Sequence, residues 1–143
     1  MSDRVTDVIN ALLEIKPSDD EIENVDKLYE IFDGFGDFPD GARAVPAMFS
    51  ILERYPKAEF GNPGPIVHEL EKIDDRVTLR ESLCRQPTVL TVWMINRILN
   101  SKISESEREM WVSELKRVKT HPLAFAAIRA ASDRYLQYQG IQT

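Results

Sequence analysis

The segment from Thr88 to Asn100, TVLTVWMINRILN, is apolar around most of its circumference when wound at 3.6 residues per turn. A helix apolar on nearly every side has to be enclosed by other elements. This segment therefore reads as a central rod and requires a fold that wraps it. It ends the stretch Gly61–Asn100, which reads as three short helices, two of them opened by proline.

The wrapping material is legible on both sides. From Asp3 to Ile15, Val5, Val8, Ile9, Leu12 and Leu13 follow the spacing of one helical face, with Ser2 or Asp3 as cap and Pro17 as stop. Ser18 and Glu21 fit a capping box for a second helix that runs to Phe32 and buries Ile22, Val25, Leu28, Tyr29 and Phe32. A third helix starts near Val45 with Pro46 in its first turn and buries Phe49, Ile51 and Leu52 up to Tyr55. A fourth opens at Pro65, with Ile66, Val67, Leu70 and Ile73 inward and His68, Glu69, Glu71 and Lys72 outward. A fifth, Val77–Arg85, turns Leu79, Leu83 and Cys84 inward, and Thr88 caps the sixth. The seventh, Ser104–Lys119, opens with a capping box of Ser104 and Glu107 and buries Met110, Trp111 and Leu115. The eighth runs from Pro122 to Gln139, uses Ala124, Ala126, Ala127, Ala130 and Ala131 for close packing, and stops at Gly140.

The expectation is one all-α domain over residues 1–143, with about eight short helices and no strand. Two architectures fit: an irregular bundle, or a degenerate HEAT-like array of helix pairs suggested by helices that open near Pro46, Pro65, Pro87 and Pro122. A chain of 143 residues with 43% hydrophobic content suits one core. It has no apolar run of membrane-spanning length and no apolar leader at its start. A lone cysteine, Cys84, rules out an internal disulfide and reads as a small buried hydrophobe in a reducing cytoplasm.

Charge is divided unevenly. Met1–Asp75 holds 18 acids and 7 bases, net −11, whereas Arg76–Thr143 holds 6 acids and 11 bases, net +5. An acidic surface repels nucleic acid and attracts basic partners. The alternative is that the two halves neutralise each other within the fold.

The sequence carries no recognisable catalytic or metal-binding signature. Asp33, Asp37 and Asp40 in DGFGDFPDGA resemble a calcium loop, but no glutamate stands at the twelfth position, and Phe38 and Pro39 break the ligand rhythm. GFG follows no strand, so it is not a phosphate loop. His68 lies on a polar helix face and His121 in a loop, neither with a local metal-ligand companion. Neither a GxSxG elbow nor a Walker A loop occurs. No cofactor or metal is expected, and the chain reads as a non-enzyme.

Two surfaces stand out as candidates for holding another protein. One is the acidic set Asp33, Asp37, Phe38, Asp40, Glu69, Asp74 and Asp75. The other is a stripe on the sixth helix, Trp93, Asn96, Arg97 and Asn100, at i, i+3, i+4 and i+7. Trp and Arg often dominate binding interfaces. The competing reading places Trp93 in the core and leaves the polar three solvated.

Within Ala44–Ser101, the segments PGPIVHELEK and QPTVLTVWMINRILNS resemble small bacterial immunity proteins, which neutralise polymorphic or contact-dependent toxins. The resemblance implies an all-helical cytoplasmic protein that binds a cognate toxin domain. A basic nuclease toxin would suit the acidic half. Without a toxin, the same features describe a general helical adaptor or regulatory subunit. A small enzyme with a site assembled from distant residues is a third reading.

Overall fold

The structure is a computed structural model that describes residues 3–142. Those residues form eight α-helices and two short 3-10 segments, with no strand among them. By contacts the chain divides into two compact units, one ending at Leu79 and the other beginning at Arg80.

The first unit holds α1 (Arg4–Glu14), α2 (Glu21–Ile31), α3 (Val45–Arg54) and α4 (Pro65–Ile73). Helix α1 packs on α2 and α3, and α4 packs on α2 and α3. Asp3 caps α1 by accepting the Thr6 N–H at 2.7 Å. The far end of α1 is closed from another element: Arg54 of α3 donates to the Leu12 and Leu13 carbonyls at 2.9 and 3.2 Å. A cation at a helix C-terminus satisfies orphan carbonyls and opposes the negative end of the dipole. Helix α3 is the inner rod of this unit, with Val45, Ala47, Met48, Phe49, Ile51 and Leu52 all buried.

Helix α2 departs from its sequence reading in two ways. Asp20, not Ser18, is its cap, accepting the Ile22 and Glu23 N–H groups; the Ser18 hydroxyl accepts the Asp20 N–H instead. The helix is also rotated. Leu28 and Phe32 are buried as expected, but Val25 is only half-buried, and Ile22 is 72% and Tyr29 54% exposed. The cause is Asn24, which is fully buried. Its amide donates to the Ser18 and Glu59 carbonyls at 2.9 and 3.0 Å, and its oxygen accepts the Ser18 N–H at 2.8 Å. A buried amide with three partners sets which face of a helix turns inward, because leaving it unpaired is costly. The inner face is therefore Asn24, Leu28 and Phe32.

Helix α5 (Arg76–Arg85) carries the chain across the division between units. Asp75 is its cap and takes both the N–H and the hydroxyl of Thr78, at 2.9 and 2.7 Å. Leu79 and Leu83 are buried as expected. Cys84 is not: it is exposed, and Ser82 is the buried small residue of this helix. The inward arc falls on Leu79, Ser82 and Leu83, one residue short of the cysteine.

The second unit holds α6 (Val89–Leu99), α7 (Glu105–Val118) and α8 (Ala126–Tyr138), each packed on the other two. Thr88 and Thr91 form a reciprocal capping box at the start of α6. Thr91, Val92, Met94, Ile95 and Leu99 of α6 are buried, but Val89 is exposed and Leu90, Trp93 and Ile98 are half-buried, so the helix is covered on one side and not enclosed all round as its apolar circumference implied. Ser104 caps α7 by accepting the Glu107 N–H, and the Glu107 carboxylate accepts the indole N–H of fully buried Trp111. Helix α8 starts four residues later than its proline suggests. His121–Ala124 forms a turn, closed by the Ala124 N–H on the His121 carbonyl and by the Leu123 N–H on His121 Nδ1. Ala126, Ala127 and Ala130 are exposed; α8 packs through Ile128, Ala131, Ser132 and Leu136. Gly140 ends it in a left-handed conformation, with the Ile141 N–H returning to the Leu136 carbonyl.

Candidate protein-binding surfaces

The acidic loop Asp33–Ala42 is ordered by short-range geometry. Gly34 takes φ +70°, Phe35–Asp37 and Gly41–Ala44 are 3-10 turns, and four backbone hydrogen bonds run from Phe35 to Gly41. Beneath them lies an aromatic stack. Phe32 and Phe35 meet edge-on at 5.5 Å between centroids, and Phe35 and Phe38 at 5.7 Å. Phe32 and Phe35 are buried, while Phe38 is half-buried under the Arg4 guanidinium at 5.3 Å. Arg43 ties the loop to α1, reaching Asp3 at 3.0 Å, Asp40 at 2.7 Å and the Thr6 hydroxyl at 3.1 Å. The Thr6 N–H and hydroxyl, with Arg43, hold the Asp3 carboxyl down to about 2.

The seven residues of the acidic set have different duties. Asp33 and Asp37 are exposed and have no ion-pair partner among the described residues. Phe38 is a brace, and Asp40 is paired with Arg43. Glu69 pairs with Lys72 at 3.3 Å and Asp74 with Arg76 at 3.0 Å. Asp74 also terminates α4 with φ +57°, a left-handed conformation that Asp tolerates better than most residues. Asp75 is the α5 cap, and the Thr78 N–H and hydroxyl hold its carboxyl below the ordinary carboxylate range. The loop thus offers two uncommitted carboxylates on a braced frame, while Asp74 and Asp75 serve the α4–α5 junction.

The α6 stripe is also divided. Trp93 is half-buried, and the Arg97 guanidinium lies over its ring at 5.2 Å. Asn96 and Asn100 accept from the two N–H groups of the Gln139 amide at 2.9 and 2.8 Å. Gln139 in turn accepts from Arg108 through both its side-chain and its backbone oxygen, at 3.1 Å each. The two asparagines therefore fasten the end of α8 to α6, and Trp93 with Arg97 is the outward pair.

A third surface was not visible to sequence reasoning. Ile22, Val25, Asp26 and Tyr29 on the outer face of α2 line an open groove of about 450 Å³, together with Glu21, His68 and the turn Gly61–Asn62–Pro63–Gly64. The turn is unusually tight. Gly61 and Gly64 have φ of +108° and +89°, and a Cβ on Gly64 would lie 1.9 Å from the Phe60 carbonyl oxygen. Two glycines flanking Asn-Pro were a legible signal for the turn. That it faces exposed Ile22 and Tyr29 was not legible, because the sequence pattern places those side chains inside.

Among the described residues, no three His, Cys, Asp or Glu side chains group as metal ligands would. No helix is long and apolar enough to cross a membrane. Searches against protein-family models, curated proteins and solved structures return no match to this chain.

Proposed function

We propose that this chain is a non-catalytic binding protein that neutralises a cognate bacterial toxin by covering its active site. The observation that carries the reading is the braced acidic loop, in which Asp33 and Asp37 stand exposed, with no ion-pair partner among the described residues, beside a Phe32–Phe35–Phe38 cluster. A rigid frame lowers the ordering cost of association. Uncompensated carboxylates on a half-chain of net −11 steer a basic partner toward it. The toxin itself is supplied by the resemblance of PGPIVHELEK and QPTVLTVWMINRILNS to immunity proteins.

The test is co-expression with the product of the adjacent gene. The expected outcome is co-purification of the two proteins and rescue of growth that the neighbour alone arrests. A neighbour that is harmless alone, or that kills equally in the presence of this chain, overturns the toxin reading. Co-purification without toxicity replaces it with a helical adaptor.

A further inference from the structure

We propose that the groove between the outer face of α2 and the Gly61–Gly64 turn seats apolar side chains of a basic protein segment. The inference deepens the binding-protein reading and rests on it. Isolated exposed apolar residues need no explanation, but two exposed ones with a half-buried valine between them on one face of a groove do. Ile22, Val25 and Tyr29 stand at i, i+3 and i+7; Ile22 is 72% and Tyr29 54% exposed. Their outward position is set by Asn24, whose three hydrogen bonds on the opposite side prevent α2 from rolling them inward. The opposite wall admits only glycine at position 64, where a Cβ would meet the Phe60 carbonyl. The groove, about 450 Å³ and open to solvent, suits the side chains of a protein segment rather than an enclosed small molecule.

Charge selects the occupant. Glu21 and Asp26 line the groove, and the half of the chain that contains it is net −11. Anionic lipid headgroups and nucleic acid are repelled by such carboxylates. A second copy docking through the same groove would bring like charges together. A segment that presents Leu, Ile or Phe between Lys or Arg residues matches both Ile22, Val25 and Tyr29 and the carboxylates of Glu21 and Asp26 in the lining.

The test uses three short synthetic peptides and the full chain: an amphipathic Leu/Lys peptide, its Leu/Glu counterpart, and a Lys/Ser peptide without apolar residues. Binding is read by fluorescence anisotropy and located by amide chemical-shift changes. The Leu/Lys peptide is expected to bind and to shift Ile22, Val25, Tyr29 and His68. Ile22→Ser and Tyr29→Ser, both at exposed positions, are expected to weaken it by about tenfold each. Asp37→Lys is expected to leave the shifted set unchanged. Equal binding of the Leu/Glu peptide overturns the charge argument. Shifts centred elsewhere, no binding of the Leu/Lys peptide, or unchanged affinity in both serine variants overturns the site. Concentration-dependent dimerisation abolished by Ile22→Ser would assign the groove to a second copy instead. None of these readouts requires the toxin, so failure here leaves the growth-rescue result standing, and failure of rescue leaves the peptide result standing.

Discussion

Asn24 ties together separate segments of the first unit. It joins the linker before α2 to the loop before α4, through Ser18 and Glu59. Asn24→Ala removes three buried hydrogen bonds and strands their partners, so a loss of about 2–4 kcal/mol is expected, measured by urea denaturation. Asn24→Asp should not restore it, because a carboxylate cannot donate to two carbonyls. Two carboxyls give a residue-scale prediction in acid. Asp3 and Asp75 are both held below their ordinary value of 3.8, Asp3 down to about 2, first by the backbone N–H groups of Thr6 and Thr78. Their stabilising contribution is complete above about pH 4 and is lost as pH falls through the depressed values. The Thr6 and Thr78 amide shifts should therefore titrate below pH 4. Asp3→Asn, which can still cap, should abolish the Thr6 step and spare that of Thr78.

At the scale of elements, the connections decide as much as the helices do. The turn Gly61–Gly64 starts α4 and forms one wall of the groove. Gly64→Ala must move the backbone, since its new Cβ would lie 1.9 Å from the Phe60 oxygen at a φ of +89°. A loss on the order of 2–4 kcal/mol is expected, together with altered shifts at Ile22 and Tyr29. Gly36→Ala is the contrasting variant: it meets open space and has no positive φ, so it should change stability by less than about 0.5 kcal/mol. Helix boundaries were largely legible, because they depend on local chemistry. Thr88 and Ser104 act as caps, Pro65 stands in the first turn of α4, and Gly140 ends α8, all as their sequence contexts imply. Boundaries failed where a tertiary partner competed. Pro122 does not open α8, because His121 bonds both Leu123 and the Cys84 carbonyl, at 3.0 and 2.7 Å, and holds the segment as a turn.

At the scale of the whole molecule, charge separates along the chain, and the acidic half contains both the braced loop and the groove. If the loop steers association, raising salt from about 0.05 M to about 0.5 M should slow binding to the co-purified partner by roughly tenfold. Asp33→Lys with Asp37→Lys should lower both the rate and its salt dependence, measured by stopped flow. If the α2 groove anchors the partner, dissociation should instead speed up in Ile22→Ser and Tyr29→Ser. Helical class, approximate number of helices, most of their caps and the acidic bias were readable from the residues alone, because each depends on neighbours a few positions away or on simple counting. Which side of α2 faces solvent, the exposure of Cys84, the duties of Asp75, Asn96 and Asn100, and the existence of a groove were decided only in three dimensions. A period of 3.6 defines an apolar arc but not its rotation, and that rotation depends on partners tens of residues away, as Asn24 and Glu59 show.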